Sequence, residues 1–115
     1  MRESAMIEEN LSLPEEQAFQ LSRCAMAIDR SRDDMGKLTT ALNDNLQLWV
    51  AIRTMAEHEE CSLSPEVRKN LTTLGKFVAD KVFASSEGIS EETVSTLINI
   101  NLQISEGLLE GAAQA

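Results

Sequence analysis

The chain has 115 residues and a formal net charge of −9, from 19 acidic and 10 basic residues. That charge repels a phosphate backbone, and no face gathers Lys and Arg against it, so direct nucleic-acid binding is excluded as an expectation. Aromatic residues make up 3% of the chain, tyrosine is absent and prolines number two, whereas Leu, Ala, Glu and Met abound. This is a helix former's composition and poor material for a sheet, and the length suits one domain that folds around a single core without metal or disulfides.

Residues 1–11 are acidic with scattered apolar positions, which predicts a loosely held lead-in. No long apolar h-region and no run near the roughly 18 residues of a membrane span is present, so a cytoplasmic protein is the default expectation. Domain structure is expected over 12–110. Ser12-Leu13-Pro14-Glu15 reads as a capping box, with Pro14 tolerated in the first turn, and predicts a first helix from 14 to about 33. Ala18, Leu21, Ala25 and Ile28 form its apolar stripe, flanked by Phe19 and Met26, which can widen it or face a partner. Arg32-Asp33-Asp34-Met35-Gly36 then predicts a turn.

The second helix is expected from about Lys37 to Glu59. Leu38, Leu42, Asn45 or Leu46, Trp49, Ile52 and Ala56 recur at steps of three and four, with Leu48, Val50 and Met55 off that line. Trp49 is the sole tryptophan, and its place on the stripe makes it a core residue, with Leu48 beside it the better candidate to face a partner. Asn43 and Asn45 fall among apolar positions and read as members of a buried hydrogen-bond network. His58 is the only histidine and reads as a solvated helix-end residue. Cys24 and Cys61 stand in no C-x-x-C or Cys/His arrangement, so they read as ordinary thiols of a reducing compartment.

Ser64-Pro65-Glu66 predicts the start of a third helix, with Ser64 as cap and Pro65 in the first turn. Val67, Leu71, Leu74, Val78 and Val82 form its stripe, Phe77 adds bulk, and the mid-helix Gly75 implies close helix packing. Ala84-Ser85-Ser86-Glu87-Gly88 closes it. A fourth helix opens at Ser90, with Ile89 as a hydrophobic staple and Val94, Leu97, Ile98, Asn101, Ile104 and Leu108 as its buried face. Ile100 and Leu102 lie off that face, and residues 111–115 are expected to fray.

Leu48-Trp49 in the second helix, Arg68 with Asn70-Leu71 and Gly75 in the third, and Gly107-Leu108 near the end together resemble the FlaF family of alphaproteobacterial flagellar biosynthesis regulators. The match runs in order over about residues 14–109. Ser64 separates Leu63 from Pro65 where the family pattern has the Leu-Pro pair adjacent, and Lys76 and Asp80 make the third helix more polar than that pattern. The resemblance implies a non-enzymatic regulator of flagellin synthesis and export that binds flagellin as a secretion chaperone does, together with an FlbT-like translational regulator. Leu48, Trp49, Arg68, Ile100 and Leu102 are the candidate partner-binding residues.

The competing expectation is a structural or adaptor helical bundle that self-associates or binds another amphipathic helix. An enzyme is not expected: no nucleophile stands at usable spacing from a base, no phosphate loop is present, and phosphotransfer would rest on His58 alone. No cofactor and no metal is expected.

Overall fold

Four helices are expected from the stripes and caps just described, and four are found among the described residues. The computed structural model describes residues 13–84 and 88–114, with side chains through Gly111. The acidic lead-in, Ser12 and the Ser85-Ser86-Glu87 part of the third helix's closing turn lie outside the described residues. The helices are α1 (Leu13–Arg30), α2 (Met35–Glu57), α3 (Pro65–Phe83) and α4 (Glu91–Gln114).

Each start has an identifiable cause. Asp34 caps α2 by accepting from the Lys37 backbone N–H at 3.0 Å, so α2 begins at Met35, two residues before the position expected, and Gly36 falls in its first turn rather than in the preceding one. Ser64 Oγ accepts from the Val67 N–H at 3.2 Å, with Pro65 in the first turn of α3. Ser90 Oγ accepts from the Thr93 N–H at 3.1 Å. At the far end, α4 continues through Gly107 and Gly111 to Gln114, past the expected stopping point. Leu108 is buried and Leu109 packs against the core, which holds the helix across both glycines.

Packing links the helices in the order α4–α1–α2–α3. The closest association is α1 with α4, followed by α2 with α3 and α1 with α2. The molecule measures 41 × 35 × 20 Å, and the thin direction is about two helix diameters. One core nevertheless unites all four helices: Leu21, Ile28, Trp49, Ile52, Leu71, Val78, Val94 and Leu97 are essentially inaccessible to solvent. All four expected α1 stripe residues are buried, and Phe19 and Met26 are exposed.

Two expectations about side chains are corrected. Asn43 is exposed, not buried, and Met55 belongs to the core; the first points outward from both α1 and α3, while the second lies on the flank of α2 that α1 covers. Val67 is also exposed. Because α3 packs chiefly against α2, only the middle of its stripe, Leu71, Gly75 and Val78, is buried. Gly75 makes room for α2 at this contact: a Cβ there would collide with Cγ and Cδ of the Arg53 side chain.

Candidate partner-binding groove

The seam between α1 and α2 has two faces, and the inner one is closed by a polar network. Trp49 Nε1–H donates to Asn101 Oδ1 at 2.9 Å. Asn101 Nδ2 donates to Asn45 Oδ1 at 2.6 Å and to the Leu21 carbonyl at 3.2 Å. One side chain of α4 thereby joins α2 twice and α1 once, and fixes which nitrogen and oxygen of both amides point where. Ser105 adds a second tie, donating to the Ala18 carbonyl at 2.6 Å while its Oγ lies 2.9 Å from Ser22 Oγ. Arg32 clamps the end, with Nε 2.9 Å from Asp29, Nη1 2.8 Å from Glu91 and Nη2 donating to Ser95 at 3.2 Å.

Among the described residues the outer face carries no such cover. Positions 13, 17, 20, 24, 27 and 31 of α1 and its following turn, and 37, 41, 44, 48, 51, 55 and 58 of α2 and its cap, are two stripes at steps of three and four, so each runs along one side of its helix. Between them lie three depressions. One of about 600 Å³ is lined by Gln20, Arg23, Cys24, Met26, Ala27, Arg30, Ala41, Asp44 and Leu48. It shares Ala27, Ala41 and Asp44 with another of about 520 Å³ that extends to Asp34 and Lys37. A third, of about 440 Å³, lies one turn beyond Leu48 among Leu13, Gln17, Ala51, Thr54, Met55, His58, Glu60 and Cys61. All the lining residues come from α1, α2 and the segments that follow them. From Lys37 to His58 the seam is roughly 30 Å long, the length of a helix of about 20 residues.

Its floor is small and weakly polar. Cys24, Ala27, Ala41 and Ala51 leave room for another backbone to come close, and Leu48, half-buried against the core, is the central apolar contact. Arg23, Arg30 and Lys37 stand with Asp34 and Asp44 at one end, His58 and Glu60 at the other. Burial holds the Cys24 thiol above the ordinary thiol range, reinforced by Asp44 and opposed by Arg23, so this cysteine stays a neutral small side chain. Gln17, on the same α1 stripe, is buried with its Oε1 unpartnered.

The five residues expected at a partner site are dispersed. Leu48 lines the groove. Trp49 is fully buried in the network behind it and presents no surface. Arg68 is engaged at the end of α2, where Nε donates to the Ala56 carbonyl at 2.6 Å and Nη2 to the His58 carbonyl at 2.9 Å. Those are carbonyls that helix termination leaves without intrahelical donors. His58 itself is the C-cap, exposed, with Nδ1 accepting from the Glu60 N–H at 3.1 Å. Ile100 is half-buried against the core and Leu102 is exposed. Two residues apart on one helix, they point to opposite flanks of α4 and cannot share a surface. Sequence periodicity passed over Cys24, Ala27, Ala41 and Asp44, because small and polar residues between two helices give no apolar signal.

The flagellar protein FlaF family matches residues 9–108. The chain belongs to that family. No curated protein and no solved structure matches it. Membership makes this FlaF-family chain a flagellar protein, and the all-helical fold carries each quoted motif on a helix: Leu48-Trp49 between groove and core, Arg68 at the α2–α3 junction, Gly75 beneath Arg53, and Leu108 in the core. No described helix is long and apolar enough to cross a membrane, and among the described residues no group of three His, Cys, Asp or Glu side chains could hold a metal ion.

Proposed function

We propose that this FlaF-family chain acts in the cytoplasm during flagellum biogenesis as a non-enzymatic, flagellin-binding regulator. It holds an amphipathic terminal helix of flagellin in the α1–α2 groove, as a secretion chaperone holds its client, and thereby controls flagellin synthesis or export in concert with an FlbT-like translational regulator. The observation that carries the reading is the groove itself: a helix-length seam, uncovered among the described residues, with small side chains along its floor and Leu48 lining it. A third helix laid there would bury its apolar face against α1 and α2, in the helix-in-groove mode of peptide recognition. Family membership supplies the flagellar setting. In this reading Leu48 contacts the client, while Trp49 and Arg68 are positioning residues that fix the pitch and the end of α2.

Mixing the purified chain with unassembled flagellin tests it. Co-elution on gel filtration, lost in Leu48→Asp with the helical circular dichroism retained, is the expected result. Absence of co-elution, or a folded Leu48→Asp that binds as well as the parent, would overturn the assignment of the groove.

A further inference from the structure

The groove between α1 and α2 has an end from which the chain itself departs. Leu13 lines the depression of about 440 Å³ at the His58 end, so residues 1–12, which lie outside the described residues, are joined to the molecule at the rim of that depression. Its lining brings Leu13, Ala51 and Met55 together with Gln17, which is buried and whose Oε1 accepts no hydrogen bond among the described residues. Further along, the central depression carries Arg23 and Arg30 on its α1 side and Asp44 on its α2 side. Both arginines are exposed, and neither makes an ion pair among the described residues. Of the nearby acids, Asp29 is bound by Arg32, and Glu15, Glu16 and Asp33 line none of the three depressions. In a chain with 19 acidic and 10 basic residues, two unpaired arginines on one side of one groove call for an occupant with acids on that flank. Residues 1–12 have that chemistry: Glu3, Glu8 and Glu9 against Arg2, with Met6, Ile7 and Leu11 as apolar side chains. The reach fits as well. Glu8 and Glu9 precede Leu13 by five and four residues, a span of about 13–17 Å, and Arg23 follows it by ten, about 15 Å along α1. The whole segment extended covers about 40 Å, more than the roughly 26 Å from Leu13 to Arg30.

We infer that residues 1–12 fold back into the α1–α2 groove and occupy it in the free chain. Leu11 enters the Gln17 depression, where backbone N–H groups beside it offer Gln17 a donor. Glu8 and Glu9 pair with Arg23, Ile7 and Met6 cover the floor around Leu48 and Ala41, and Glu3 reaches toward Arg30. Because the segment is tethered at the end of the groove, its effective concentration there is on the order of millimolar, so individually weak contacts suffice. The docking needs no client. Its regulatory consequence rests on the proposed function: a flagellin helix that enters the groove has first to displace the segment, which lowers the apparent client affinity by the fraction of chains already occupied.

Nuclear Overhauser spectra of the full isotope-labelled chain, with no client added, are the test. Contacts from the Met6 and Ile7 methyl groups to Leu48 and Ala41 are expected, and in a mixture of labelled and unlabelled chains they are expected within one chain and not between two. Glu8→Lys/Glu9→Lys should weaken these contacts by more than about threefold and shift the Arg23, Cys24 and Leu48 amides. Arg23→Glu, at an exposed position, should do the same, and combining it with Glu8→Lys/Glu9→Lys should restore the contacts, because opposite charges again face each other. A parent chain without the contacts, contacts that form only between chains, contacts unchanged in Glu8→Lys/Glu9→Lys, or a combined variant with no recovery would overturn the inference. Flagellin is absent throughout, so failure here leaves the proposed function standing, and failure of the co-elution experiment leaves these contacts unaffected.

Discussion

The inner and outer faces of the α1–α2 pair are built from neighbouring residues and closed in opposite ways. On the inner face α4 lies across the seam, and Trp49, Asn45 and Asn101 exchange hydrogen bonds where no water reaches. On the outer face, one residue away along α2, Leu48 looks onto an uncovered groove floored by Cys24, Ala27 and Ala41. The inner face specifies the fold, because only one setting of the two amides lets Asn101 accept from Trp49 and donate to Asn45 and Leu21, even with Asn45 Nδ2 left without a partner among the described residues. Among the described residues, the outer face leaves an open groove along α1 and α2, which is the basis of the proposed client binding.

Breaking the inner face should cost the most. Trp49→Ala removes the largest fully buried side chain and strands the Asn101 carbonyl oxygen, with an expected loss of about 3–5 kcal/mol read from urea unfolding. Asn101→Leu keeps the bulk but orphans the Trp49 N–H and the Asn45 carbonyl oxygen, and should cost about 2–4 kcal/mol in the same experiment. Arg68→Ala, which removes the donor to the Ala56 carbonyl and leaves the His58 carbonyl with the Cys61 N–H alone, should cost about 1–2 kcal/mol and raise amide exchange in the last turn of α2. On the outer face the order of effects reverses. Leu48→Asp should change stability by no more than about 1.5 kcal/mol, since the residue is half-buried, yet lower flagellin affinity by more than about tenfold, measured by calorimetric titration.

The smallest effect concerns Cys24. Its pKa is raised in the folded chain, chiefly by burial, so folding favours the neutral thiol. That contribution is fully present below the ordinary thiol pKa and is lost as pH rises through the folded value. Iodoacetamide should accordingly alkylate Cys24 more slowly in the native chain than in urea at pH 8, and bound flagellin should slow the native reaction further. Equal rates in the folded and unfolded chain would show that the groove floor is fully open to solvent.

Much of this fold could be read from the chain. The stripes of α1 and α2, the Ser64 and Ser90 caps and the burial of Trp49 follow from spacing and local chemistry, because each is decided within a few turns of one helix. Asn45 and Asn101 could each be marked as polar residues in apolar stripes, but their pairing across 56 residues could not, since periodicity says which side of a helix is buried and not which helix buries it. For the same reason Val67 reads as core until α3 is seen to touch chiefly α2. The groove was the least legible feature. Ala27, Ala41 and Asp44 look like an ordinary wet margin, and only the position of α4 on the opposite side shows that none of the described helices covers them. Arg68 entered through family resemblance alone, and its two carbonyl contacts give that resemblance a physical reason.

The most direct measurement is an isotope-edited spectrum of the chain titrated with a synthetic peptide spanning a terminal helix of flagellin. Amide shifts concentrated at Cys24, Ala27, Ala41, Leu48 and Ala51, with Asn99, Gln103 and Glu106 on the outer side of α4 unmoved, are the predicted result. Saturable shifts confined to α3 or α4, with the α1–α2 seam silent, would contradict the account.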